Sequence, residues 1–176
     1  MSTDPSINFQ PVPFSTTLLV RDTCLCLHLQ RAARTVARRF DEALKPAGLT
    51  NGQFSLLMSL NRPNLPGVPP ATMGSVAQLL GMDRTTLTAA VKTLERRKLL
   101  KVQPAPSDKR TRLLVLTPEG RETLANAVPI WTATHAEVES TLDSPARLRG
   151  ELCLLAGQPA ADQPPCSTTS AKANPS

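Results

Sequence analysis

Tyrosine is absent from this chain of 176 residues, and its aromatics are four phenylalanines and one tryptophan. Binders of unpaired bases stack them on aromatic rings, so this composition favours duplex DNA over RNA or single strands as a nucleic-acid partner. Histidine is nearly as scarce: His28 and His135 stand far apart in the sequence. No HExxH, CxxC, GxSxG or phosphate-loop pattern occurs. The commoner metalloenzyme, redox, hydrolase and nucleotide-binding classes therefore lose their signatures, and no enzyme activity, cofactor or metal is expected. No apolar run reaches the roughly 18 residues of a membrane span, so no membrane partner is expected. The N-terminus lacks the basic stretch and apolar core of a secretion signal. Cysteines at 24, 26, 153 and 166 do not make a disulfide framework. The expected compartment is a cytoplasm with reduced thiols.

What is present is concentrated. The chain has 20 Lys and Arg against 14 Asp and Glu, a net charge of +6. Between Asp83 and Arg121 stand ten basic and four acidic residues, so this segment alone carries the whole surplus. A basic surface of this kind attracts the phosphates of a duplex.

The same segment has a legible order. Thr72 is placed to cap a short helix containing Met73, Val76, Leu79 and Leu80. Gly81 follows, where a helix ends in the left-handed conformation that glycine tolerates. Asp83 is a good N-cap for the next helix, since a carboxylate accepts from the free N–H groups of a first turn. Leu87, Ala90, Val91 and Leu94 recur at helical spacing and form one buried face. Thr85, Thr88, Ala89, Lys92 and Arg96 lie opposite. Small polar residues backed by cations suit a groove, where threonine can bond a base edge or phosphate and its methyl can touch thymine. A solvated face has the same composition. Leu100–Val102 and Leu113–Leu116 are short β-prone runs joined by a polar turn, Gln103–Arg112, which Pro104 and Pro106 stiffen. Two helices with a tight glycine turn, then a hairpin, make a winged helix-turn-helix.

With Leu49-Thr50-Asn51-Gly52-Gln53-Phe54 opening a helix, Met82-Asp83-Arg84-Thr85-Thr86-Leu87-Thr88 opening another, and Leu94-Glu95-Arg96-Arg97-Lys98-Leu99-Leu100 closing it, the chain resembles the multiple-antibiotic-resistance regulator (MarR) family. Asp108-Lys109-Arg110 and Leu116-Thr117-Pro118-Glu119-Gly120-Arg121 complete the resemblance, which covers roughly residues 24–155. It implies a bacterial transcription regulator: a homodimer on a pseudo-palindromic duplex operator, usually a repressor relieved by a small-molecule ligand or an oxidant. It implies DNA-contacting roles for Arg84, Thr85, Thr86, Thr88, Ala89, Lys92, Arg96, Lys109, Arg110 and Arg112, with Arg110 inserted by the wing. Asp108 would stabilise the wing by pairing with a nearby arginine. An unidentified effector would sit between the dimer helices and the winged module, near Arg34, Arg38, Phe54 and Trp131. Peroxide-sensing branches keep a reactive cysteine near the start of the first helix, which makes Cys24 or Cys26 a candidate thiol switch. Their partners there include tyrosines, which this chain lacks. On a continuous helix the two thiols would lie about 200° apart and could not bridge without unwinding.

The expected architecture is mainly α with a small β-hairpin, a winged helix-turn-helix with flanking dimerisation helices. Residues 1–20 read as an extended arm. Residues 21–156 read as the regulator domain, with a DNA-binding module over 50–120 and dimerisation helices over 21–45 and 121–156. Residues 157–176, rich in Pro, Ala, Ser and Thr, read as a disordered tail. A long helix over Asp22–Leu44 carries Leu25, Leu29, Ala32, Val36, Phe40 and Ala43 on one stripe and ends at Pro46 and Gly48. Gln53–Leu60 is a second helix, and Asn61–Pro70 a stiff loop. The helix opened by Pro118 carries Leu124, Val128, Trp131, His135 and Val138, with Pro129 as a kink. Ser144 and Pro145 open a last helix with Leu148, Leu152 and Leu155. One chain cannot easily cover all these stripes, so a dimer interface is their natural sink. From another class, the alternative is a winged-helix protein-interaction module without DNA binding. A neutral wing would favour it, whereas this wing carries Lys109, Arg110 and Arg112.

Overall fold

Seven helices and one hairpin follow each other along the residues described by a computed structural model, which are 11–62, 71–106 and 108–157. Most of the loop expected over 61–70 and of the tail expected over 157–176 lie outside them. Helix α1 spans Phe14–Thr23 and α2 spans Leu25–Leu44. The sequence reading placed an extended arm over 1–20; from Phe14 onward that stretch is helical. The proline spacing signalled an arm, but Pro13 occupies the N-cap, where its missing N–H costs nothing.

The single helix expected over 22–44 is interrupted at Cys24, whose ψ of 104° is extended. Backbone bonds continue on both sides, from Cys24 N to Val20 O at 3.0 Å and from His28 N to Cys24 O at 3.1 Å. Nothing in the apolar spacing marks a break that alters one ψ and keeps the flanking ladder. Of the expected α2 stripe, only Phe40 is buried, joined by Leu44; Leu25, Leu29 and Val36 are exposed in the single chain.

A turn over Lys45–Ala47 leads to α3, Asn51–Ser59. Thr50 caps α3 reciprocally with Gln53: Gln53 N donates to Thr50 Oγ1 at 3.3 Å and Thr50 N to Gln53 Oε1 at 3.2 Å. Helices α4 (Met73–Leu80) and α5 (Arg84–Arg96) follow. Thr72 and Asp83 cap them as expected, and Gly81 has φ +61° between them. Gly81 N reaches Gln78 O and Met82 N reaches Ala77 O, the left-handed closure that a Cβ would strain. Val76 is buried on α4, while Leu79 is 56% exposed and leaves the expected stripe.

Strands β1 (Leu100–Pro104) and β2 (Arg112–Leu116) pair antiparallel, Leu100 opposite Leu116 and Pro104 opposite Arg112. β1 is longer than expected because Pro104 takes the last ladder position, and Ala105 N bonds Thr111 O just beyond it. Leu114 N donates to Ala71 O at 2.8 Å, so the lead-in to α4 lies along β2 and fixes the hairpin on the helix pair. The core of this unit includes Leu44, Leu56, Leu57, Val76, Leu87, Leu94 and Leu100.

Helix α6 spans Pro118–Glu139 with Pro129 inside it. Its buried residues are Gly120, Leu124, Ala127 and Thr134, whereas Val128, expected in the stripe, is exposed. The inward face thus follows 120, 124, 127, 131 and 134, a helical path that admits small and polar residues a hydrophobic pattern skips. The chain divides into two compact units, the first ending at His135 and the second starting at Ala136. The second holds the end of α6 and α7, Pro145–Leu155, capped by Ser144. Glu139 and Arg149 form an ion pair there, and Leu148, Leu152 and Leu155 are exposed.

Candidate nucleic-acid interface

Helix α5 is fixed at both ends. At its start, Asp83 Oδ1 accepts from Thr86 N at 2.9 Å and Asp83 Oδ2 from Thr86 Oγ1 at 2.6 Å. These bonds, the hydroxyl first, hold the Asp83 carboxyl below its ordinary range. At its end, Lys98 takes a left-handed φ of 60°, Lys98 N bonds Glu95 O, and Leu99 N bonds Leu94 O. Arg97 then ties this end to the start of α3, donating to Gly48 O at 2.8 Å and to Gln53 Oε1 at 3.1 Å. Glu95 Oε1 accepts from Val102 N at 3.1 Å, joining the helix to β1.

The face opposite the buried Leu87, Val91 and Leu94 is the expected one: Thr85, Thr88, Ala89, Lys92 and Arg96 are all exposed. Arg84, Thr85, Thr88, Ala89 and Lys92 line one concavity; Ala89, Lys92, Thr93, Glu95 and Arg96 line the next. A third lies between α5 and the hairpin and includes Arg84, Thr88, Arg110, Thr111 and Arg112. Helix face and wing therefore make one grooved cationic surface. Among the described residues, Arg84, Lys92, Arg96, Lys109, Arg110 and Arg112 have no carboxylate partner.

The wing tip is held by Asp108. Its Oδ1 accepts from Arg110 N at 2.9 Å, its Oδ2 from Thr111 Oγ1 at 2.9 Å, and its carbonyl from Thr111 N at 3.0 Å. The bonds from Arg110 N and then Thr111 lower the Asp108 pKa. The expected arginine partner is replaced by a backbone N–H and a hydroxyl, which fold the turn on itself and leave the Arg110 guanidinium outside it. Thr86 likewise departs from the sequence reading, since its hydroxyl is turned onto the cap of its own helix.

The proposed effector residues separate. Phe54 stacks on Trp131 with centroids 5.9 Å apart, and Trp131 stacks on His135 at 4.6 Å and meets Phe40 at 6.5 Å. Phe40 and His135 complete this cluster from positions read as a core stripe. Arg34 instead donates to Gln30 on its own helix at 3.2 Å, and Arg38 is exposed. Cys24 is half-buried and Cys26 exposed, with Gln30 Nε2 donating to Cys26 Sγ at 3.2 Å. Among the described residues, no three His, Cys, Asp or Glu could hold a metal ion, and no helix is long and apolar enough to cross a membrane.

Residues 47–111 match the MarR family. The chain is 30% identical over 97 residues to the transcriptional activatory protein BadR of Rhodopseudomonas palustris, covering 55% of this chain and only 54% of that protein. The Mycobacterium tuberculosis transcriptional regulator MosR, solved in complex with DNA, is 35% identical, with a TM-score of 0.68 over 76% of this chain and 94% of that one. CouR of Rhodococcus jostii, solved with p-coumaroyl-CoA, is 25% identical, with a TM-score of 0.64 over 77% of this chain and 93% of that one. Capped helix pair, hairpin wing and these likenesses agree: the chain belongs to the MarR family of winged-helix regulators.

Proposed function

We propose that this protein is a transcriptional regulator that binds duplex DNA as a homodimer, with α5 in the major groove and the wing tip in the adjacent minor groove. The observation that carries the reading is the grooved surface of α5 and the wing, whose cations have no carboxylate partner among the described residues. Such side chains are available to phosphates at no cost in broken ion pairs. MosR, similar over most of its length, has been solved with DNA. The exposed apolar side chains of α1, α2 and α7 supply the surface for a second copy. Repression or activation then depends on where the operator lies relative to the promoter. An anisotropy titration on a duplex from the protein's own promoter, at several salt concentrations, tests the reading. The association constant is expected to fall steeply with salt; salt-independent binding, or none, would favour a protein-interaction module.

Control of that binding has two routes. CouR was solved with an aromatic acyl-CoA, and in this chain the half-buried Trp131 and His135, stacked on the buried Phe54 and Phe40, offer an aromatic edge near α3. The second route is a thiol switch at Cys24 or Cys26. Cys24, with ψ at 104°, caps the helix that starts at Leu25 and is half-buried, while Cys26 in its first turn is exposed. A hydroperoxide would oxidise one thiolate to a sulfenic acid, releasing water or alcohol, and the second thiol would displace a further water to close a disulfide. Peroxide is expected to release the protein from DNA with a loss of two hydrogens between the two cysteines. Release that persists in the Cys24→Ser, Cys26→Ser double variant would leave the ligand route alone.

A further inference from the structure

The threonines of α5 are not equivalent. Thr86 gives its hydroxyl to Asp83 at 2.6 Å and its backbone N–H to the same carboxylate, so it serves the cap. Thr88 gives its hydroxyl hydrogen to Arg84 O at 2.7 Å and is nonetheless exposed on the outer face. A threonine hydroxyl has one hydrogen to donate, so while this bond stands Thr88 has none for a base acceptor such as guanine O6 or N7. What it retains for a groove is its methyl and an acceptor oxygen. Thr88 lines both the concavity shared with the wing and the one shared with Ala89 and Lys92. Arg84 lies one turn before it and Lys92 one turn after, and the methyl of Ala89 lies beside it. The cations flank the position as phosphate partners would, and the two methyls between them form a small apolar step.

We propose that Thr88 is a specificity-determining residue that reads the C5-methyl of a thymine through its own methyl, supported by Ala89, and not through its hydroxyl. This rests on the DNA-binding reading above and adds to it the identity of the base and the group that reads it. The major groove displays a methyl only at thymine, so an apolar step distinguishes T·A from the other pairs without a hydrogen bond.

The test starts from a duplex recovered by the parent protein from a randomised pool. Each thymine is replaced in turn by deoxyuridine, which removes the methyl and leaves every base-edge donor and acceptor. At one thymine per half-site the parent is expected to lose roughly fourfold in affinity, the worth of one buried methyl. Thr88→Ser, which lacks the methyl and keeps the hydroxyl, should bind the thymine and uracil duplexes equally. Thr88→Val, which keeps a methyl at the same branch and lacks the hydroxyl, should retain the uracil penalty. Circular dichroism of both variants should match the parent, as α5 is anchored at Asp83 and Arg97. A uracil penalty that survives in Thr88→Ser, or that disappears in Thr88→Val, would overturn the methyl contact. A parent that binds the selected duplex but is indifferent to every uracil would overturn it while leaving DNA binding intact. Recovery of no duplex at all would remove both readings.

Discussion

Single residues in the stretch around α5 and the wing do different work from what their chemical type suggests. A Cβ on Gly120 would lie 1.9 Å from the carbonyl oxygen of Leu99. That contact exists because Thr117 Oγ1 donates to Lys98 O at 2.6 Å and accepts from Gly120 N at 3.0 Å, pressing the first turn of α6 onto the start of β1. Gly120→Ala forces backbone against backbone and should cost at least about 1–3 kcal/mol of stability, read in urea unfolding. An unchanged midpoint would mean that the two segments can part. Lys98 is the opposite case, a side chain where φ is 60°. Relief of left-handed strain, about 1–2 kcal/mol, exceeds the entropy of an added glycine, about 0.5–1 kcal/mol. Lys98→Gly should therefore stabilise the fold slightly. Asp83 supplies a pH test. Thr86 lowers its folded pKa, so its contribution is complete above the ordinary aspartate value and is lost as pH falls through the folded one. Asp83→Asn keeps an acceptor at the cap without titrating. The melting temperature of the parent over that of Asp83→Asn should shrink as pH drops below about 4; a constant difference would deny the ionised cap its role. The caps were legible because Thr, Asp and Gly signal locally. The crowding at Gly120 was not, since it depends on a carbonyl 21 residues earlier in the chain.

At the scale of elements, the helix pair and hairpin were legible because apolar spacing, caps and turn residues agreed on them. The break at Cys24 left no mark, as one altered ψ disturbs no periodicity. The charge surplus was legible as a total but not in its division. Arg97 belongs to the basic run, yet its guanidinium bonds Gly48 O and Gln53 Oε1 and so orients α5 on α3. Arg110 belongs to the same run, and only its backbone N–H is held, by Asp108. The two arginines should therefore separate in experiment. Arg97→Ala should lower the melting temperature, consistent with a loss of about 1 kcal/mol for exposed charge-assisted bonds, and leave the salt dependence of DNA binding as it was. Arg110→Ala should leave the melting temperature unchanged and reduce the slope of log K against log salt by about 1.8 per dimer, since each of the two wings loses one phosphate-neutralising charge. Asp108→Ala should weaken binding although it makes the protein more basic, because the turn loses the acceptor for Arg110 N and Thr111 Oγ1. Tighter binding by Asp108→Ala would show that net charge, and not wing shape, governs the contact. The same slope change in both arginine variants would show that Arg97 leaves its clamp on DNA.

For the molecule as a whole, the partner of its exposed apolar side chains decides how it meets DNA. Phe14 is 72% exposed, Leu25 66% and Leu155 61% in the single chain. Isolated exposed leucines need no explanation, but several on α1 and α2 and again on α7 do. The sequence stripes announced apolar faces without saying what covers them, because a pattern of period 3.6 looks the same in a core and in an interface. If a second copy covers them by two-fold symmetry, each operator half-site meets one α5, with centres one helical turn, roughly 34 Å, apart. Two measurements then have to agree. Leu29→Glu on α2 should shift the protein from dimer to monomer in sedimentation, because a carboxylate would be buried on both sides of the axis. The same variant should lose the tight complex with the operator and keep the weak, salt-sensitive association of a single basic module. Insertion of about five base pairs between the half-sites turns them to opposite sides of the duplex. The parent should then fall to the affinity of the Leu29→Glu variant, since a rigid dimer reaches only one half-site at a time. A dimer that tolerates this insertion would have flexibly tethered winged modules, and a monomeric parent with unchanged operator affinity would place the partner of these helices in another protein.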